Sequence, residues 1–500
     1  MHTIAVIGTG AMGAGIAQLC AQAGFNVRLY DVQAGAAHKA RDRLAQVFET
    51  LAGKGRLTPG EVTQALANLQ VSDSLEELHN CDLVIEAIVE KLDVKQALFT
   101  ALEQIVRADC LLASNTSSLS VTAIAQGCQR PSRVAGLHFF NPVPLMKVVE
   151  VIAGLETDNA VIEQLMTWVN QLGHWPVRCH DTPGFIINHA GRAYGTEALA
   201  ILGERVAPVQ VVDRVLREAM GFRMGPFELF DLTGLDVSHP VMESIFEQYY
   251  QDPRYRPSVL TRQMLNGGRL GRKSARGFYS YPRSEEAQQP LVRPTCNPPV
   301  WIGAQEPEDH RALANWLAGQ GITLDNASIP GADSLCLLAP YGLDACGAAQ
   351  AFGTDPARTL CIDMLPGIER HRTLMRTPVT HTHLCDFALA LFANDTVGAS
   401  LIEDSLGFIC QRVMAAIVNL ACDMAQQGIA TPADIDRAVQ LGLGYPSGPL
   451  AWGDALGAAR VLSIVQRMAE TSHDPRYRPS PWLRRRVGLG CSLGFERSAC

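Results

Sequence analysis

The first 180 residues alternate short continuous apolar runs with longer stretches of helical period. Thr3–Ile7, Asn26–Tyr30, Asp82–Ala87, Leu111–Ala113, Arg133–Phe140, Lys147–Ile152 and Trp175–Cys179 are the short runs. Runs of that length between polar segments read as strands buried on both faces. Helical spacing fills the gaps, at Ala36–Leu51, Pro59–Asn68, Val94–Val106 and 158–172. Strand and helix in turn predict an α/β domain with a mainly parallel sheet, residues 1–182. Pro183-Gly184 then break the pattern as a hinge. Apolar residues recur at helical spacing over 183–282, which predicts an all-α domain. A Pro-rich linker (283–299) leads to a small α/β domain, 300–398, with short strands at Ser334–Leu338 and Thr359–Leu365.

Residues 399–500 read as a degenerate second copy of the helical domain. Asp404-Ser405-Leu406-Gly407-Phe408 mirrors Asp181–Phe185 at an offset of 223. At that offset Asp213 falls on Asp436, Gly225-Pro226 on Gly448-Pro449, and Asp231 on Asp454. DPRYRPS occurs verbatim at Asp252 and again at Asp474. An ordered series of this kind marks an internal duplication.

Composition narrows the class. The chain has 500 residues, 47% of them hydrophobic, enough for several cores. A net charge of −8 argues against nucleic acid as a partner. No run of eighteen apolar residues predicts a membrane span. The first strand starts almost at Met1, so no leader peptide is expected. Fourteen cysteines without CxxC pairs read as reduced thiols, which points to the cytoplasm. His381, His383 and Cys385 have ligand-like spacing on what reads as one strand face. They lack an evident fourth ligand, and no metal is expected.

The strongest chemical signal is the turn after the first strand, GTGAMG at Gly8–Gly13. Gly8 suits a tight turn, Gly10 a close backbone approach to a pyrophosphate, and Gly13 close helix–strand packing. Ala11 and Met12 open the helix whose free N–H groups face the phosphates. Asp31 ends the second strand, where a carboxylate accepts from a ribose 2′-OH and repels a 2′-phosphate. The expected cofactor is therefore NAD. Among residues facing it, His138 is a natural base. Glu150 ends the next strand pattern and is placed to hold the other ring nitrogen. Taken singly, His138 also reads as a core histidine and Glu150 as a solvated strand end.

SNTSSLS, GLHFFNPVPLMKVVEVI, DTPGFIIN, GPFELFDLTGLD and GRKSARGFY stand in one order. In that order the chain resembles the 3-hydroxyacyl-CoA dehydrogenase family over residues 1–281. The resemblance implies a Rossmann-type NAD domain and oxidation of a (3S)-3-hydroxyacyl-CoA thioester by His138 and Glu150. It implies that Ser117 and Asn188 bond the substrate's oxygens. It places Glu90, Lys95, Asn115, Asn141 and Lys273 near the cofactor and Lys54 near the CoA end. On spacing alone, Glu90 and Lys95 also read as a surface ion pair. With its duplicated domain the chain is similar to a long bacterial subgroup of phenylacetate breakdown, which acts on 3-hydroxyadipyl-CoA. The alternatives are a 3-hydroxybutyryl-CoA dehydrogenase, a β-hydroxyacid dehydrogenase of related plan, and a binding protein that keeps the fold without turnover.

Two expectations go beyond the motifs. Arg192 lies four residues after Asn188, on the same predicted helix face, and is placed to anchor a distal substrate carboxylate. An Arg–Glu pair on the helix surface is the rival reading. In the second copy Gln411 and Ala415 replace Asn188 and Arg192, so it is expected to be structural. It would supply within one chain the contact through which short family members dimerise, giving a monomer with an internal pseudo-dimer or a homo-oligomer.

Overall fold

The computed structural model describes residues 1–283, 297–393 and 396–496, so most of the expected linker lies outside the described residues. Contact density divides the chain into two compact units. One comprises Met1–His189 and Gln427–Leu443, the other Ala190–Gln426 and Gly444–Cys500.

The first unit holds an eight-stranded sheet. Its strands are β1 (Thr3–Ile7), β2 (Asn26–Tyr30), β3 (Leu69–Val71), β4 (Leu83–Glu86), β5 (Leu111–Ser114), β6 (Val134–Phe139), β7 (Val148–Ala153) and β8 (Trp175–His180). The order is β3-β2-β1-β4-β5-β6-β7-β8, with every neighbour parallel except β6 and β7. The order reverses between β1 and β4, and ligands of such sheets bind at the carboxyl ends there. Ile4, Val6, Leu29, Leu83, Ile85 and Ala113 are fully shielded from water within it. Each large aliphatic side chain so buried contributes roughly 1.5–3 kcal/mol.

The glycine turn is forced by sterics. Gly8 has φ +90°, and a Cβ there would stand 2.6 Å from the Ala87 carbonyl oxygen. A Cβ on Gly13, in α1 (Ala11–Gln22), would stand 1.8 Å from the Gly8 carbonyl oxygen. Strand, turn and helix therefore pack at a distance that only glycine permits.

Within the second unit, helices dominate residues 190–281 as expected. Its six-stranded sheet runs β10-β9-β11-β12-β13-β14: β9 (Val300–Ala304), β10 (Leu324–Asp325), β11 (Leu335–Ala339), β12 (Thr359–Ile362), β13 (Arg372–Arg376) and β14 (Ala399–Ile402). Only β12–β13 is antiparallel. At the offset of 223, β11 to β14 overlie β5 to β8. The Thr382–Phe392 helix likewise overlies the Asn159–Gln171 helix. The duplication thus reaches back into the sheet domain, which the sequence reading confined to residues 399–500.

Two further expectations are corrected. His381, His383 and Cys385 lie not on a strand but at the start of the Thr382–Phe392 helix. His381 caps the helix and its ring stacks on that of His383 with the centroids 5.5 Å apart, while Cys385 is buried. The second helical copy is not one body. Its helix α5 (Pro432–Leu443), numbered after α2 (Ile187–Gly203), α3 (Val209–Met220) and α4 (Ile409–Gln426), packs against β7 and β8. Ile435, Ala438 and Val439 supply its fully buried face.

In the second unit Gln411 binds the second copy to the small sheet. Its Nε2 donates to the Pro340 carbonyl and to Asp363 Oδ1, both at 3.0 Å. Burial pushes the Asp363 carboxyl up to about 7, against the Gln411 and Leu365 hydrogen bonds that favour its charge. A carboxyl whose folded pKa lies above its unfolded value binds more protons when folded. Stability then falls as pH rises from about 4 to about 7 and is level above. Asp363→Asn abolishes this titration. Its melting temperature relative to wild type is expected to be higher at pH 8 than at pH 5, by the equivalent of about 1–3 kcal/mol. A pH-independent difference would refute the assignment.

Candidate active site

Antiparallel pairing sets His138 on β6 directly opposite Glu150 on β7. Glu150 is mid-strand and fully buried, not at a solvated strand end. His138 Nδ1 and Glu150 Oε2 are 2.6 Å apart. The other carboxylate oxygen accepts from the backbone N–H groups of Ile186 (2.9 Å) and Ile187 (2.8 Å), where α2 begins. A carboxylate with no proton to spare fixes Nδ1 as the donor and leaves Nε2 with its lone pair. The rings of Phe140 and Phe185 stand 4.2 and 5.8 Å from the imidazole and shield it.

One residue into α2, Asn188 Nδ2 donates to the Ser117 carbonyl at 3.4 Å. Ser117 is exposed in the loop after β5, and the whole loop hangs on Glu90. A single oxygen, Glu90 Oε1, accepts from Thr116 Oγ1 (2.6 Å), Ser117 N (2.9 Å), Ser118 N (3.1 Å) and Ser118 Oγ (3.0 Å). Partial burial opposes its charge, but these donors and Lys95 outweigh it and hold the carboxyl below its usual range. Asn115 Oδ1 accepts from Phe139 N at 2.9 Å, tying this loop to the strand that carries His138.

Lys95 is no surface residue. It is 1% exposed, 2.5 Å from fully buried Glu86 and 3.2 Å from Glu90. Glu86 also accepts from Ser114 Oγ and Ile88 N, each at 2.7 Å. Sequence reasoning missed Glu86 as a site residue. Its signal was an acid closing the apolar run LVIE, where burial demands a cation.

At the other end of the turn, Asp31 Oδ2 accepts from Thr9 N (2.7 Å) and Thr9 Oγ1 (2.8 Å), and Oδ1 from Gln33 N (3.0 Å). Partial burial disfavours its charge, but these bonds prevail and its pKa lies below normal. An open cleft of about 640 Å³ is lined by Thr9, Gly10, Asp31, Gln33, Lys39 and Arg43, among others. A Cβ on Gly10 would meet nothing within 4 Å, so its missing side chain opens free space at the helix start. The turn, the helix N-terminus and a fixed anion beyond it fit an adenine dinucleotide lacking a 2′-phosphate.

The remaining expected residues stand apart from these contacts. Lys54 is exposed just after the Ala36–Gly53 helix, and Asn141 is exposed just past β6. Lys273 belongs to the second unit and pairs with Asp236 at 2.8 Å. Arg192, also in the second unit, is desolvated, which lowers its pKa, while Tyr445 nearby partly offsets that. At the offset of 223 the site residues Ser117, His138, Glu150 and Asn188 become Pro340, Cys361, Thr373 and Gln411.

The family model for the NAD binding domain of 3-hydroxyacyl-CoA dehydrogenase matches residues 3–182. The model for the C-terminal domain of that enzyme matches twice, at 184–281 and 407–492. A protein of Escherichia coli K12 named 3-hydroxyadipyl-CoA dehydrogenase is 38% identical over 497 residues, 99% of each chain. A probable 3-hydroxybutyryl-CoA dehydrogenase of Bacillus subtilis is 42% identical over 56% of this chain and 96% of its own. A solved structure titled 3-hydroxybutyryl-CoA dehydrogenase, also from Escherichia coli K12, matches with a TM-score of 0.87. It is 37% identical and 99% of each chain is covered.

Removing a partner from a buried ion pair strands the other charge and costs about 3–5 kcal/mol. Lys95→Met should therefore unfold at markedly lower denaturant concentration than wild type, since Glu86 is left buried. Lys95→Met combined with Glu86→Gln should recover much of the loss. An unchanged midpoint in the single variant would refute the buried-pair reading.

Proposed function

The chain belongs to the 3-hydroxyacyl-CoA dehydrogenase family, and from that premise we propose that its substrate is a (3S)-3-hydroxyacyl-CoA ending in a carboxylate, of the 3-hydroxyadipyl type. The activity itself, NAD-dependent oxidation of a 3-hydroxyacyl-CoA, goes with the family. The observation that carries the substrate is the end-to-end match to a relative of that name, duplicated half included. The Bacillus relative named for the four-carbon substrate spans little more than half of this chain, and the solved structure titled for that substrate matches from end to end, so the substrate panel below decides between the two.

NAD, when bound, supplies the hydride acceptor. The protein's own part is the proton. His138 Nε2 takes it from the 3-hydroxyl as the C3–H bond breaks. The imidazolium so formed is stabilised by Glu150, whose far oxygen is held by two backbone amides. Ser117 and Asn188 orient the substrate's oxygens, and Lys54 meets the phosphates of CoA. Arg192 stands one turn beyond Asn188 on α2. A guanidinium matches a carboxylate through two parallel hydrogen bonds, and this place on the helix that carries Asn188 supports Arg192 as the anchor for the acyl tail.

We read the chain as a cytoplasmic enzyme. The buried thiols suit a reducing compartment, and among the described residues no helix is long and apolar enough to cross a membrane. Its duplicated half acts as an internal partner. In the second unit Arg412 bonds Glu197 and Glu204, and Arg478 bonds Asp252 at 2.7 Å.

Two measurements test these readings. Glu150→Gln keeps the amide contacts but loses the charge. With acetoacetyl-CoA and NADH its kcat is expected to fall about 10²-fold or more, with the melting temperature nearly unchanged. For the tail, kcat/KM of wild type and Arg192→Met is compared on 3-hydroxyadipyl-CoA and 3-hydroxybutyryl-CoA. The variant should lose about 10–100-fold on the carboxylated substrate alone. Equal losses on both would overturn Arg192 as the anchor.

A further inference from the structure

Helix α5 comes from the duplicated half, yet it packs on β7, the strand that carries Glu150, and on β8 beside it. The attachment is specific. His180 N donates to the Ile429 carbonyl at 2.9 Å, just before α5. The Arg437 guanidinium lies 4.7 Å from the centre of the Trp175 ring. At its far end the helix carries Gly442. That glycine has no left-handed φ, so the backbone does not require it, and glycine is a poor helix former.

What requires it is space. A Cβ on Gly442 would stand 2.4 Å from Ile187 Cδ1, 3.0 Å from Cγ1 and 3.2 Å from Cγ2. Ile187 is 2% exposed and branched at Cβ, so it has little room to turn aside. Its backbone N–H is one of the two that hold Glu150. The pair at the offset of 223 is Ala219 and Cys410. The counterpart of Gly442 thus carries a Cβ, and the counterpart of Ile187 a shorter side chain.

We propose that α5 positions the catalytic pair, and that Gly442 does so by letting the helix close on Ile187 and hold its amide against Glu150. Gly442 is a positioning residue, two steps removed from the reacting atoms. Beside Glu150, Cys179 on β8 feels the charges of Glu150, of Asp181 beyond the strand and of Asp434 on α5. None of them changes in the variants below.

The inference rests on the dehydrogenase reading for its kinetic consequence, so the test has a second readout. Gly442→Ala is compared with wild type, with Gly442→Ala/Ile187→Val, and with Ala433→Gly. The last weakens α5 at an exposed position far from Ile187. NMR of ¹³C-labelled histidine follows the His138 titration, assigned by its loss in His138→Asn. Turnover is measured with acetoacetyl-CoA and NADH.

In Gly442→Ala the amide draws back and leaves the carboxylate charge to the imidazolium. The His138 midpoint is expected to rise by about half a pH unit or more. The kcat should fall about fivefold or more with KM for NADH unchanged. Removing Cδ1 in the double variant should restore most of both. An unmoved midpoint, or an equal shift in Ala433→Gly, would overturn the proposal. A shifted midpoint in a protein that turns over no acyl-CoA would sink the dehydrogenase reading and leave the positioning role standing.

Discussion

Everything in the catalytic unit depends on one buried carboxylate. Glu150 is fully shielded from water, and a charge in that position costs several kcal/mol unless it is partnered. The fold supplies three donors: the imidazole of His138 from β6 and the amides of Ile186 and Ile187 at the start of α2. The amides are groups that a helix N-terminus leaves unsatisfied in any case, and the helix dipole favours an anion there. Helix and carboxylate therefore complete each other. The same bonds choose the histidine tautomer and fix where α2 starts, and Asn188 follows one residue later. His138 and Asn188 are placed by a single constraint.

The duplicated half shows what survives when that constraint is dropped. Asp181 accepts from Thr122 N at 2.8 Å, and its counterpart Asp404 accepts from Ala345 N at 2.6 Å. His180 N donates to the Ile429 carbonyl, and Glu403 N donates to the Val206 carbonyl. Even the contact of Asn188 with the Ser117 carbonyl persists as Gln411 with that of Pro340. These bonds hold backbone groups that must be satisfied wherever the chain folds this way. The imidazole of His138 has no such duty, and Cys361 and Thr373 stand in the places of His138 and Glu150. The two halves share the scaffold bonds, and only the first carries the buried histidine–glutamate pair.

This division explains what could be read from the sequence. The glycine turn, Asp31, the strand–helix alternation and the His138–Glu150 pairing were legible because each is local or carried by a motif of fixed spacing. The Lys95–Glu86 pair was not, since nothing in the sequence distinguishes a lysine on the buried side of a short helix from one on its wet side. Once Lys95 is 1% exposed, the surface-pair reading is untenable. The duplication was visible through Asp, Gly-Pro and DPRYRPS landmarks, all of them polar or turn residues. Its extension into β11–β14 was hidden, because buried strands keep only hydrophobic character and exchange side chains freely. Register and helix order preserved what residue identity had lost.

What, then, does the second half supply? Within the second unit α3, from the first helical copy, packs on β13 of the small sheet. Within the first unit α5, from the second copy, packs on β7 and β8. Each helical copy lends its second helix to the sheet of the other copy. β8 ends the large sheet, and a strand in that position exposes unpaired backbone groups and apolar side chains unless something covers it. The exchange supplies that cover from the far end of the chain. The second half has no histidine or glutamate at the places of His138 and Glu150, yet its helix α5 forms part of the wall behind that pair.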